Sequence, residues 1–224
     1  MSDARIPGHW VGRMANLVVV AAVLNLGCDL MLFAGPGAGS VIADPEPLMR
    51  ALGSGSPLRL YLGAGLGTVL ISLWWWLLPA LQRLLQPCPR LLPWVLGAYT
   101  LFVGCCAAFH ASFGFLGVLG QLGGRGAMDL GAAVPLVQGA MATIQVPMLL
   151  SMLVFSLGFA LAAVSAATPV PRWGGLLTPL LLCTLLPGLA TLLPAPAGAA
   201  VAMIASTLGL SLFFLFVRWC WGRT

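Results

Sequence analysis

Long apolar runs separated by short polar breaks dominate this chain, and the runs set its architecture. A helix rises 1.5 Å per residue, so about 20 apolar residues cross the ~30 Å hydrocarbon core of a bilayer. Six segments meet that length, at about 14–34, 58–81, 93–118, 134–165, 174–193 and 198–218. Backbone N–H and C=O groups cannot stay bare in lipid, and none of the runs alternates with the period of a barrel strand. The pattern therefore predicts an all-α, polytopic transmembrane bundle of six spans, one integral membrane domain over residues 1–224. Pro147 and Pro187 fall inside spans, where a missing N–H predicts kinks. Gly63 with Gly67, and Ala205 with Gly209, give small faces on which neighbouring helices can approach closely.

The polar breaks assign a direction. With the N-terminus inside, Arg5, Arg13, Arg83, Arg90, Arg172, Arg218 and Arg223 are cytoplasmic. Arg50, Arg59 and Arg125 are outside, together with Asp44, Glu46 and Asp129. Seven against three is the asymmetry of the positive-inside rule, so both termini are expected in the cytoplasm of a bacterial inner membrane. Trp10, Trp74, Trp75, Trp76, Trp94, Trp173, Trp219 and Trp221 all fall near the cytoplasmic ends, as an interfacial belt would. The longer connections, 35–57 and 119–133, lie outside, where they act as spacers or as a lid.

Composition agrees with this reading and removes other classes. The chain is 60% hydrophobic and 7% charged, with mean hydropathy +1.04, against about 25% charged residues in an ordinary soluble domain. The net charge of +5 comes from single arginines between apolar runs, which is no nucleic-acid face. Cys28, Cys88, Cys105, Cys106, Cys183 and Cys220 have no CxxC spacing, and no disulfide framework is expected. The first run, Leu17 to Ala34, is longer than a signal-peptide core, and Asn25 spoils the lipoprotein-like stretch ending at Cys28, so this span is expected to be retained.

Ionisable residues inside spans are costly and by default mark function. Asp29 lies about six residues, ~9 Å, below the outer end of the first span. His110 lies about eight residues, ~12 Å, from the outer end of the third. Arg59 and Tyr61 open the second span from the same side, and Gln138 begins the fourth. These five form the candidate ligand-binding set, with His110 and Asp29 as the candidate acid–base pair. Structural readings stand beside each: Asp29 paired with Arg59 or snorkelling to the interface, His110 bonded to a neighbouring carbonyl, Arg59 as an interface anchor, Gln138 and Gln145 as interhelical glue, and Trp74-Trp75-Trp76 as belt.

A catalytic zinc site wants three ligands, usually several histidines. Only His9 and His110 are present, and Cys106, one turn before His110, is the sole addition that could join His110 and Asp29. Neither a metal nor another cofactor is expected. There is no Gly-x-Ser-Gly with a partner histidine, no Walker loop and no intramembrane histidine pair for haem.

Gly27-Cys28-Asp29-Leu30-Met31-Leu32-Phe33 resembles the first helix of a family of small, uncharacterised bacterial six-helix membrane proteins, a domain of unknown function. Leu58-Arg59-Leu60 with Gly63 and Gly67, and then Phe109-His110-Ala111, resemble that family's second and third helices. Cys28 stands where the family has glycine, and the likeness covers about 90 residues of the N-terminal half. It implies the topology and the site residues but names no reaction. Two function classes follow. One is a binding protein (carrier, sensor or accessory subunit) for a small molecule or lipid, with its pocket in the outer half of the bundle. The other is a membrane-embedded enzyme on a lipid or amphiphile, with His110 as acid or base and Asp29 orienting it. The bilayer itself is the expected partner, nucleic acid is not, and protein partners are left open.

Overall fold

A computed structural model of the chain describes residues 7–33, 45–165, 168–194 and 197–223. Arg5, Ala34 and Asp44 lie outside the described residues. Within them, all regular structure is helical. Helix α1 is Gly8–Phe33, α2 Pro45–Gly53, α3 Pro57–Leu85, α4 Leu92–Gly124, α5 Leu130–Val164, α6 Pro179–Ala190 and α7 Ala197–Trp221. A 3-10 turn, Arg172–Leu176, precedes α6.

Five of these are long and apolar enough to cross a membrane: α1, α3, α4, α5 and the Ile204–Trp221 part of α7. The expected fifth span is broken up. Pro179 starts α6, and 3-10 bonds from Thr191, Leu192 and Leu193 close it before Pro194, since a residue before proline avoids the α region. The resulting 12 residues reach only about 18 Å. Helix α6 nevertheless runs back along α7. Trp173 meets Phe216 and Trp219 at centroid distances of 5.4 and 5.8 Å. Further along, Gly209 packs on Leu182, and the Cys183 thiol donates to the Ser206 carbonyl at 3.4 Å.

The two ends of the described chain meet. Gly8 and Gly12 pack against Trp221, and Arg218 Nε donates to Asn16 Oδ1 at 2.6 Å. Arg83 lies over Trp221 and Arg223 over Trp219, at 5.5 and 4.0 Å from the ring centroids, contacts that hold cations at an aromatic rim. Trp10, Trp94 and Trp173 are exposed there, but the tryptophan triplet divides. Trp75 and Trp76 face outward, whereas Trp74 is buried against Phe214. Trp74 is thus a core residue and not part of a belt. The reason is local: Pro79 has no N–H for the Trp75 carbonyl, so Leu73–Leu77 tightens into 3-10 geometry and Leu78 N–H bonds Trp75 instead. The Trp74 carbonyl accepts the Tyr99 hydroxyl at 2.7 Å.

The opposite end is more ordered than a loop. Residues 45–53 form the amphipathic helix α2, whose Leu48, Met49 and Leu52 are buried and whose Glu46 and Arg50 pair at 2.6 Å on the wet side. Gly53 and Gly120 let α2 and α4 touch backbone to backbone, where a Cβ on either would overlap main chain. Helix α4 runs to Gly124, and Gly126 (φ 71°) turns the chain into α5, capped by Asp129 Oδ1 on the Gly131 and Ala132 N–H groups. The connection expected at 119–133 is therefore a tight helical hairpin and offers no lid.

Candidate functional site

The apolar interior consists of two clusters. One gathers Val18, Ala22, Trp74, Tyr99, Phe155, Phe159, Phe213 and Phe214; the other gathers Leu32, Leu48, Met49, Leu60, Phe113 and Leu116. On each of three helices, the polar residues fall at the change from one cluster to the other. On α1, Asp29 separates Cys28 from Leu32. On α4, His110 separates Ala107 from Phe113. On α3, Gly67 separates Leu70 from Ala64.

Asp29 and His110, each about 5% exposed, face one another across that layer. His110 Nδ1 lies 3.6 Å from Asp29 Oδ1, and His110 Nε2 lies 3.0 Å from the Gly63 carbonyl. A carbonyl only accepts, so Nε2 carries hydrogen and donates. In the neutral ring Nδ1 is then a bare acceptor pointed at a carboxylate oxygen. At 3.6 Å the two groups are within electrostatic reach of one another but are not hydrogen-bonded. The other carboxyl oxygen, Oδ2, accepts the Thr207 hydroxyl from α7, and Ser211, one turn on, donates to the Thr207 carbonyl at 2.8 Å.

The Gly63 carbonyl sits in a π turn over Tyr61–Leu66, a distortion common at functional sites, and accepts the Gly67 N–H as well as the His110 ring. Bare glycine at 67 completes the fit. A Cβ there would overlap His110 Nε2 and lie 2.9 Å from Asn25 Oδ1. Asn25, one turn before Asp29 on α1, is fully buried, and among the described residues neither its Oδ1 nor its Nδ2 has a hydrogen-bond partner. Burying an unpartnered amide costs on the order of 1–3 kcal/mol, so this position is unfavourable for stability alone.

Of the five residues singled out in the sequence, two come together and three stand elsewhere. Arg59 does not pair with Asp29. Its Nε and Nη2 donate to the Met31 and Leu32 carbonyls, the latter at 2.9 Å. These are last-turn carbonyls of α1, which lack helical donors and attract a cation. Tyr61 is 66% exposed on the outer face of the π turn, and Gln138 is exposed on α5. Neither lies on the polar layer. Sequence reading missed Asn25, Gly67, Thr207 and Ser211. Asn25 with Asp29, and Thr207 with Ser211, each sit four apart on one helix face, a signal that was present.

The Nε2 of His110 is taken by a carbonyl, and among the described residues no hydroxyl or thiol bonds to the ring; Ser112 donates instead to the Phe109 carbonyl. No group of three His, Cys, Asp or Glu residues among those described lies close enough to hold a metal ion. All six cysteines are free thiols. No family model, curated protein or solved structure matches the chain.

Proposed function

We propose that this chain is a multi-pass protein of the bacterial inner membrane that binds a small polar ligand, as a carrier or sensor, at the Asn25–Asp29–His110–Thr207 layer. The observation that carries the reading is Asn25: a fully buried amide whose polar atoms have no partner among the described residues, beside a carboxyl and an imidazole 3.6 Å apart. A purely structural layer would gain stability from leucine there. A binding layer needs donors and acceptors that the protein itself does not consume, and it places them on rigid helices.

Six legs with both termini cytoplasmic fit the meeting of the chain ends and the clustering of arginines around them, with α6 as a short leg held against α7. Single-cysteine labelling should then reach residues 45 and 125 from outside and residues 87 and 170 only after permeabilisation. External protection at 125 would overturn the orientation. The likeness of the Asp29, Arg59 and His110 segments to the uncharacterised six-helix family is in keeping with this topology. An enzyme reading is less well supported, because the nitrogen that would act as base is occupied by the Gly63 carbonyl.

The test is a deletion strain profiled by untargeted lipidomics and metabolomics, then complemented. Wild type should restore the profile, while Asp29→Asn and His110→Ala should not, at equal amounts of folded membrane protein. Full complementation by both variants would refute the proposal.

A further inference from the structure

At the end of the bundle formed by α2, the start of α3 and the end of α4, a cleft of about 450 Å³ opens to the surface. It is lined by Arg50, Ser54, Gly55, Gln121 and Arg125 among small residues, and among the described residues no carboxylate is part of its lining. Arg59 stands behind it, its guanidinium 3.4 Å from where a Cβ on Gly55 would sit. The other described arginines, Arg13, Arg83, Arg90, Arg172, Arg218 and Arg223, belong to the helix ends and turns at the opposite end. Of the three on this side, Arg50 and Arg125 line the cleft and Arg59 stands behind it. On the orientation proposed above, this is the side where the positive-inside rule disfavours arginine, so the cluster needs a reason other than topology.

Two of the three guanidiniums already have work. Arg50 is held by Glu46, and Arg59 caps α1. Arg125 is exposed on the turn after α4, and among the described residues its guanidinium has no acceptor. Beside it, Gln121 offers a neutral amide, the Ser54 hydroxyl being engaged with the Ala51 carbonyl at 2.9 Å, and exposed Leu58 and Leu122 adjoin the lining residues Pro57 and Gln121. A planar, permanently charged fork next to a neutral amide donor suits a phosphate group.

We propose that this cleft binds a phosphate group of net negative charge, with Arg125 as its principal contact. Two sources share that chemistry: the headgroup of an anionic phospholipid, whose acyl chains would lie along Leu58 and Leu122, and a free phosphate. The full chain in neutral detergent is titrated with dihexanoyl phosphatidylglycerol, dihexanoyl phosphatidylcholine or inorganic phosphate while its melting temperature is followed. Phosphatidylglycerol should raise the melting temperature, phosphatidylcholine should not, and Arg125→Gln should weaken half-saturation about tenfold. Added salt should weaken the response of the wild type as well. A similar, Arg125-dependent rise with inorganic phosphate would support the site and assign it to a soluble anion. Equal responses in wild type and Arg125→Gln, or no response to either anion, would overturn the proposal.

Discussion

Gly67→Ala is the substitution with the most sharply defined consequence. In an ordinary helix interior it would stabilise by roughly 0.5–1 kcal/mol, because alanine has less backbone entropy to lose. Here the added methyl would overlap His110 Nε2, lie 2.7 Å from His110 Cδ2, and lie 2.9 Å from Asn25 Oδ1. The ring must retreat, and its bond to the Gly63 carbonyl is lost. Overpacking costs about 1–3 kcal/mol, and the abandoned buried imidazole donor costs about 1–3 kcal/mol more. The net is a loss of roughly 2–5 kcal/mol, or a fall in melting temperature on the order of 5–15 °C for a chain of this size. Intrinsic tryptophan fluorescence of the full chain in detergent reads it. Gly65→Ala, with nothing within 4 Å of the new methyl, is the control and should melt at or above wild type. The double variant Gly67→Ala/His110→Ala should melt higher than the sum of the single effects, since removing the ring removes the clash. If Gly67→Ala melts with Gly65→Ala, or the double variant is additive, the imidazole does not rest on Gly67 and the site geometry is wrong.

Arg59→Gln should lower the melting temperature by the equivalent of about 1–3 kcal/mol, because the α1 carbonyls of Met31 and Leu32 lose a charged donor; it should leave Asp29→Asn unrescued, and rescue in thermal melts would restore the Asp29–Arg59 pair. Tyr99→Phe should cost about 0.5–1.5 kcal/mol by removing the hydroxyl that the Trp74 carbonyl accepts, read by the same fluorescence melts, with an unchanged melting temperature as the contrary result.

Much of the bundle is legible because lipid leaves a chain little choice: α1, α3, α4 and α5 all cover the apolar runs that announce them. The sequence is less informative where two signals compete. The run 174–193 is apolar enough for a span, yet Pro179 and Pro194 bracket only 12 helical residues, and hydropathy is blind to that. Trp74 looked like belt by composition, whereas the 3-10 turn set by Pro79 rotates it into the core. At the site, Asp29 and His110 stand out because charge inside lipid is rare. Asn25 and Thr207 are ordinary residues in apolar helices until packing sets Asn25 against Gly67 of α3 and Thr207 against Asp29. Arg59 was ambiguous for a related reason: a cation at a helix entrance serves a carboxylate or a carbonyl equally well, and only the end of α1 decides.

The most direct test of the polar layer is Asn25→Leu, measured for stability and function together. A fully buried amide without partners is a burden that a merely structural layer has no cause to keep. Leucine should therefore raise the melting temperature of the purified chain, by the equivalent of about 1–2 kcal/mol. The same variant, present in the membrane at wild-type level, should fail to restore the lipid and metabolite profile of a deletion strain. A more stable protein that no longer complements is the predicted result; a variant that complements as wild type does would contradict the assignment of this layer to ligand binding.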